Sequence, residues 1–263
     1  MVEKALIFYR KYFKRKIYGW SGDYPNWQQA LEKCSGYNAA NILEKVLSAV
    51  LKVKAGEAAY ERDSVLFDTA AYSYPLLSAV LWIALKNNNS ISVTDFGGSL
   101  GSTYFQNKKF LDDIRVLYWN IIEQSGFVDA GRKFIEDERL KFFPIIDDAI
   151  TNYGTDLLII ACALQYMEKP YELIDQLTRL NIPYIFIDNT PYNFERRDRI
   201  TIQKVPPSIY TASYPCWFLD YDKVKQAFSN KYTMLSEHYN EDVIELDGRK
   251  IPYKGFLMEL KKH

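Results

Sequence analysis

From residue 91 onward, β-prone runs alternate with helical stripes, which predicts an α/β fold built on a mostly parallel, Rossmann-like sheet. Three observations carry the prediction. A β-prone run at 90–94 ends in Asp95 and enters Gly97-Gly98-Ser99-Leu100-Gly101, a glycine turn followed by residues able to open a helix. A second apolar run, 117–122, ends in Glu123, about 20 positions beyond the turn. Near the C-terminus, Asp247-Gly248 separates two further β-prone runs and predicts a terminal hairpin.

Residues 1–89 read as a helical N-terminal extension or lid, and 90–263 as the Rossmann-like domain. Ile42, Leu43, Val46, Leu47, Val50 and Leu51 recur at three- and four-residue spacing, an apolar helical stripe that needs a partner surface. Tyr74-Pro75 opens the next helix. The stretch 21–27 is turn-rich, with Tyr24 and Trp27 near Asp23. It reads either as a lid or as a loop packed down by Trp27. Glu57, Glu61, Arg62 and Asp63 read either as ligand contacts from a lid or as surface helix pairs. Strands are expected at 91–95, 115–123, 141–143, 157–161 and 184–188. A helix opened by Pro170 carries Leu173, Ile174, Leu177 and Leu180 on one side. The polar passage 189–215, with Pro191, Pro206, Pro207 and Pro215, reads as a long functional loop. Runs at 232–239 and 254–261 form the terminal hairpin.

Composition narrows the partners. The 263 residues include 33 basic and 33 acidic side chains, so net charge gives no reason to expect nucleic acid. Cys34, Cys162 and Cys216 are widely spaced and lack histidine at ligand spacing, which fits neither a disulfide framework nor a metal site; a reducing cytoplasm is expected. No run approaches the ~20 apolar residues of a membrane span. Lys4, Arg10, Lys11, Lys14, Arg15 and Lys16, interleaved with Tyr9, Tyr12 and Phe13, read as a solvated basic helix end or as peripheral contact with an anionic membrane. No apolar signal-peptide core follows them.

A glycine turn lets the backbone approach a ligand without Cβ interference and presents free N–H groups at a helix start. An acid at the end of the next strand accepts hydrogen bonds from ribose hydroxyls. The two together point to an adenosine-containing ligand. Counted from Gly97, the dinucleotide fingerprint positions hold Gly97, Ser99 and Ser102, which disfavours a nicotinamide cofactor, and no Gly-Lys-Ser/Thr follows for a phosphate loop.

Longer stretches extend the argument. Asp95-Phe96-Gly97-Gly98-Ser99-Leu100-Gly101-Ser102, Trp119-Asn120-Ile121-Ile122-Glu123-Gln124, Ala163-Leu164-Gln165-Tyr166, Ile187-Asp188-Asn189-Thr190-Pro191 and Val205-Pro206-Pro207-Ser208-Ile209-Tyr210 stand in the chain in this order. With 21–27 and 57–68, they resemble a family of class I S-adenosylmethionine-dependent methyltransferases associated with bacterial surface-polysaccharide and lipopolysaccharide gene clusters. The likeness spans most of the chain and implies a sheet with an antiparallel last strand, S-adenosylmethionine as cofactor, and a small-molecule or glycan acceptor. Ser99 departs from the glycine common in class I methyltransferases. By position, Asp95, Gly97, Gly98, Ser99 and Gly101 would shape the methionine pocket, Glu123 would hold the ribose, and Gln124 or Phe143 would border the adenine. Ala163, Gln165 and Tyr166 would lie beside the transferred methyl, although Phe143 and Tyr166 also read as plain packing residues.

A hydroxyl acceptor benefits from a general base. Asp188 ranks first because it ends a predicted parallel strand, where ligands gather in open α/β sheets. Tyr166, Glu237 and His238 are the others. Arg196 and Arg197 could clamp an anionic acceptor, and Tyr210, Tyr214 and Trp217 offer faces for a sugar ring. The expected reaction is O-methylation of a sugar, with N- or C-methylation of a nucleotide sugar, or a non-catalytic cofactor-binding module, as alternatives.

Overall fold

The computed structural model describes residues 18–36 and 39–262; the basic residues between 4 and 16, and His263, lie outside the described residues. The described part opens with strand β1 (Gly19–Tyr24), helices α1 (Trp27–Leu31) and α2 (Ala39–Lys54), the short strands β2 (Tyr60–Arg62) and β3 (Val65–Phe67), and α3 (Tyr74–Lys86). The extension thus combines the expected helices with three short strands. β1 pairs antiparallel with a strand almost 180 residues later, from Gly19 opposite Lys204 to Tyr24 opposite Ile200. Gly22, in the turn-rich stretch 21–27, and Gly19, both at positive φ, are absorbed into an irregular edge strand.

The rest alternates as predicted: β4 (Ser90–Phe96), α4 (Ser102–Leu111), β5 (Val116–Ile122), α5 (Ser125–Ala130), β6 (Leu140–Phe143), α6 (Ile146–Tyr153), β7 (Leu157–Ala161), α7 (Pro170–Arg179) and β8 (Tyr184–Pro191). Then come β9 (Arg199–Val205), β10 (Ala212–Phe218), α8 (Tyr221–Ser229), β11 (Tyr232–Leu246) and β12 (Arg249–Leu260). Seven strands form the central sheet in the order β11-β12-β8-β7-β4-β5-β6. β4 to β8 pair in parallel, while β12 runs antiparallel to both its neighbours. This is the expected Rossmann-like sheet, mostly parallel, with the antiparallel C-terminal strand inserted beside β8.

Parallel strands covered by helices on both faces need apolar side chains on both. β7 shows this: Leu157 and Ile159 enter one core with α2, α3 and α4, and Leu158 and Ile160 enter the other with α7 and α8. The polar side chains of β4 are satisfied locally. Ser92 Oγ donates to the Gly154 carbonyl at 2.9 Å and Thr94 shares a 2.7 Å hydrogen bond with Thr155.

The passage 189–215 is not a loop. β9 and β10 form a three-stranded antiparallel sheet with β1. Ile200 and Ile202 pack on Ala30, Tyr24 and Trp27, an alternation obscured by the surrounding prolines. Pro215 is tolerated because β10 is an edge strand of that sheet.

Ile160→Ala, in a fully buried position of β7, is expected to cost about 2–5 kcal/mol of stability, read as a lowered urea midpoint at unchanged slope.

Candidate active site

The parallel register sets side chains of successive strands side by side. Asp95 stands opposite Ile159, and Ala161 opposite Asp188, so Asp95, Ala161 and Asp188 share one face at the carboxyl edge of β4, β7 and β8. The glycine turn wraps over Asp95. A Cβ at Gly98 would stand 2.7 Å from Asp95 Cγ and 2.8 Å from Ile121 Cδ1, and one at Gly97 would stand 3.0 Å from Ala163 Cβ. Gly97 (φ 74°) and Gly101 (φ 90°) also occupy backbone regions that side chains disfavour.

Asp95 is 1% exposed. Burial pushes its carboxyl up to about 7, although Trp119 Nε1–H donates to Oδ2 at 3.1 Å; the nearby Glu123 charge pushes the same way. Glu123 is half-buried at the end of β5. Its Oε2 accepts the Gln124 backbone N–H at 2.8 Å, and the Ser99 N–H reaches it as well. Burial nevertheless raises this carboxyl above its ordinary range. The Glu123 N–H donates to the Phe143 carbonyl at 3.2 Å, which brings Phe143 alongside; the Phe143 ring meets Tyr153 edge-on at 6.0 Å. Gln124 is exposed at the start of α5.

Three non-glycine residues at the carboxyl edge hold left-handed backbone: Ser99 (φ 55°), Cys162 (φ 54°) and Asn189 (φ 47°) follow or end β4, β7 and β8. Such conformations cost about 1–3 kcal/mol each and concentrate where ligands are clamped. The Cys162 thiol is reachable from the cleft but walled by protein, which pushes it up to about 12. Gln165, 1% exposed, donates through Nε2 to the Asn189 carbonyl at 3.2 Å and to Cys162 Sγ at 3.3 Å. Tyr166 donates to Gln203 Oε1 at 2.7 Å and stands edge-on to Tyr214 at 5.3 Å; burial holds its phenol well above the ordinary range. Its hydroxyl proton is committed to Gln203.

Asp188, 2% exposed, is the most heavily coordinated carboxylate of the edge. Oδ1 accepts the Asn189 N–H at 2.8 Å, lies 3.0 Å from His238 Nε2 and accepts Asn240 Nδ2–H at 3.1 Å; Oδ2 accepts Ser73 Oγ–H at 3.2 Å. The structure thus joins two residues read separately from sequence, Asp188 and His238. It adds Ser73 and Asn240, which sequence reasoning missed. Asn240 had a legible signal, since it follows His238 at the two-residue period of one strand face. Ser73, at the N-terminus of α3, had none.

The β2–β3 hairpin closes the other side. Its tip, Asp63-Ser64, takes left-handed backbone at both positions (φ 52° and 67°), as a tight two-residue hairpin turn demands. Glu61, 3% exposed, accepts hydrogen bonds from the Ser102 hydroxyl in the first turn of α4 and from the Ser64 N–H at 3.0 Å; burial raises its carboxyl. Arg62 pairs with Asp242 at 2.8 Å. The Tyr210 and Tyr214 hydroxyls share a 3.4 Å hydrogen bond beside Tyr166, and burial raises the Tyr210 phenol above its ordinary range.

Of the remaining predicted acceptor contacts, Arg197 and Trp217 have protein partners. Arg197 gives its two-pronged face to Asp23, at 3.2 and 2.5 Å, and its Nε–H to Glu195 at 2.9 Å. Arg196 is exposed beside it. Trp217 stacks on Trp27 with ring centroids 6.1 Å apart and donates Nε1–H to the Met167 carbonyl at 3.0 Å. Among the described residues, no group of three or more His, Cys, Asp or Glu side chains is arranged to hold a metal ion, and no helix is long and apolar enough to cross a membrane.

No protein-family model matches the chain, and no curated protein matches it in sequence. Solved structures do. An S-adenosylmethionine-dependent methyltransferase from Methanosarcina mazei is similar over 72% of this chain and 98% of that one, at 10% identity and a TM-score of 0.48. The N-terminal domain of EvdMO1, solved with S-adenosylhomocysteine and D-fucose, is similar over 86% and 98%, at 10% identity and a TM-score of 0.47. The glycopeptide N-methyltransferase MtfA, solved with S-adenosylmethionine, is similar over 70% and 94%, at 11% identity and a TM-score of 0.47. At such identities the activity has to be read from the chain's own residues.

Asp95 supplies a test by linkage. Its folded carboxyl, near 7, lies above the ordinary 3.8, so the folded state keeps a proton that the unfolded chain releases. The stability this contributes is complete below pH 4 and is lost as pH rises to 7. Between those limits the wild type is expected to lose stability relative to Asp95→Asn by up to about 1.4 kcal/mol per pH unit, read from urea unfolding. Equal pH slopes for the two proteins would assign the titration to another group.

Proposed function

We propose that the chain is an S-adenosylmethionine-dependent methyltransferase that O-methylates a hydroxyl of a sugar or glycan-linked acceptor. The observation that carries this reading is the turn at 97–101, too close to Asp95 and Ala163 for side chains at 97 and 98 and leading to a ribose-type acid at Glu123. The residues present suit the cofactor. Gly97, Gly98, Ser99 and Gly101 would give its methionine half close backbone approach, and Asp95 would pair with its ammonium group. Glu123 would exchange its backbone partners for ribose hydroxyls, and Phe143 and Gln124 would border the adenine. When bound, the cofactor supplies a methyl group already activated on a sulfonium.

The remaining work is alignment and removal of one proton. Asp188 is the proposed base, in reach of an acceptor hydroxyl entering beside Ser73 and Cys162. Tyr210 and Tyr214, hydrogen-bonded to each other beside Tyr166, support a carbohydrate acceptor, since sugar rings pack on aromatic faces. Arg197 is held by Asp23 and Glu195, and Arg62 by Asp242, and this pairing favours a neutral sugar over a nucleotide sugar. The role in surface-polysaccharide assembly rests on the sequence resemblance alone.

Isothermal titration with S-adenosylhomocysteine tests the cofactor. Binding is expected in the wild type and is expected to weaken by about 1.5–3 kcal/mol in Glu123→Ala, with NAD inert. No binding by a folded sample would remove the reading. The pH dependence is a second test. Because an ammonium group favours ionised Asp95, affinity is expected to fall by up to tenfold per unit below pH 7, with proton release on binding that shows as a buffer-dependent heat. An affinity constant from pH 6 to 8 would exclude the Asp95–ammonium contact.

A further inference from the structure

We propose that His238 is a positioning residue that acts through Asp188, and that Gly255 is the opening through which it reaches the carboxylate. The inference rests on the methyltransferase reading for its purpose, but on hydrogen bonding and sterics for its content. Asp188 and His238 lie on β8 and β11, with β12 between them. Gly255 is paired with His238 and sits where the register between β12 and β8 slips, between Lys254 and Phe256. A Cβ at 255 would overlap the imidazole at Nε2 and Cε1 and lie 2.6 Å from the Ile187 carbonyl oxygen. Any other residue would close the path from ring to carboxylate.

The protonation of the ring follows from its surroundings. His238 Nδ1 is buried without a hydrogen-bond partner, whereas Nε2 lies 3.0 Å from Asp188 Oδ1. A proton on Nδ1 would be a buried unsatisfied donor, so the neutral ring carries its proton on Nε2 and donates it to Asp188. Phe186 stacks under the ring at 5.4 Å and 18°, which fixes its plane. Neither nitrogen is then available to take a proton from an acceptor. One is spent on Asp188 and the other is sealed from the cleft.

The carboxylate is divided by this arrangement. Oδ1 receives three N–H groups, from Asn189, His238 and Asn240, while Oδ2 receives only the Ser73 hydroxyl. Oδ2 therefore keeps acceptor capacity, and His238 with Asn240 aims it. The acceptor's hydroxyl proton would move to Oδ2 as its oxygen bonds the methyl carbon and the carbon–sulfur bond breaks, with that bond's electron pair staying on the sulfur of the departing S-adenosylhomocysteine. His238 keeps its own proton throughout.

The chain contains two histidines, His238 and His263. Nitrogen NMR of 15N-histidine-labelled full-length protein, with His263→Gln for assignment, reads the ring directly. The expected spectrum shows His238 with its proton on Nε2 and a slowly exchanging ring proton. Both features are expected to be lost in Asp188→Ala and in Gly255→Ala. Transfer of tritiated methyl from S-adenosylmethionine to a pool of methyl glycosides gives the second readout. His238→Ala and Gly255→Ala are each expected to lower turnover on the order of 100-fold with homocysteine-product affinity unchanged. The double variant is expected to be no worse than either single one, and His238→Gln, which keeps an N–H donor, to recover part of the loss.

A proton on Nδ1, or an unchanged ring signal in Gly255→Ala, would overturn the proposal. So would additive losses in the double variant. Should Gly255→Ala fail to fold, Asp188→Ala and His238→Gln still decide it. If S-adenosylhomocysteine does not bind the wild type, the cofactor reading fails. If it binds but no glycoside is methylated, the acceptor reading fails. In both cases the ring spectra alone decide the contact between His238 and Asp188.

Discussion

Burial of the central parallel strands from both faces is the constraint on which the rest depends. A strand such as β7, with four consecutive side chains fully inaccessible, has no place for chemistry along its length. Polar side chains with work to do are displaced to the carboxyl edge, where the strands end and helices begin. Asp95, Glu123 and Asp188 all stand there. Each is at or near the end of a strand whose other residues hold the two cores together.

The same burial gives the acids different character. Asp95, under the glycine turn with one indole donor, is driven toward its neutral form near pH 7. Glu123 is opposed in that drift by two backbone N–H groups. Asp188 is surrounded by donors on every side, from α3, β8 and β11. Three carboxylates at one sheet edge thereby sit in three different environments. Left-handed backbone at Ser99 and Cys162 follows the ends of β4 and β7, where the chain leaves the sheet, whereas Asn189 lies within β8 beside the slip in its register with β12.

Around this edge, the elements outside the central sheet build walls. The β2–β3 hairpin bridges the first turn of α4, through Glu61, and β11, through Arg62. The three-stranded sheet of β1, β9 and β10 supplies Gln203 and Tyr214 behind Tyr166. Arg199 fastens that sheet to the terminal hairpin by donating to the Gly22 carbonyl and to Asp247. This accounts for a stretch rich in proline and charge being ordered: its side chains are tied on both flanks.

What the sequence by itself determined is the central sheet and the glycine turn with the acid that ends the next strand. Apolar runs of strand length, a glycine turn and an acid about 20 residues on are local signals, and local periodicity and turn chemistry are sufficient to read them. The terminal hairpin was legible for the same reason, from Asp247-Gly248. Tertiary structure alone decided the surroundings of Asp188 and of the 189–215 passage. β1 finds its partner only through pairing with β9, Arg197 is drawn away by Asp23, and His238 meets Asp188 by crossing Gly255 on a third strand. These are contacts between residues far apart in the chain, and their energy depends on burial and register that no short window of sequence contains.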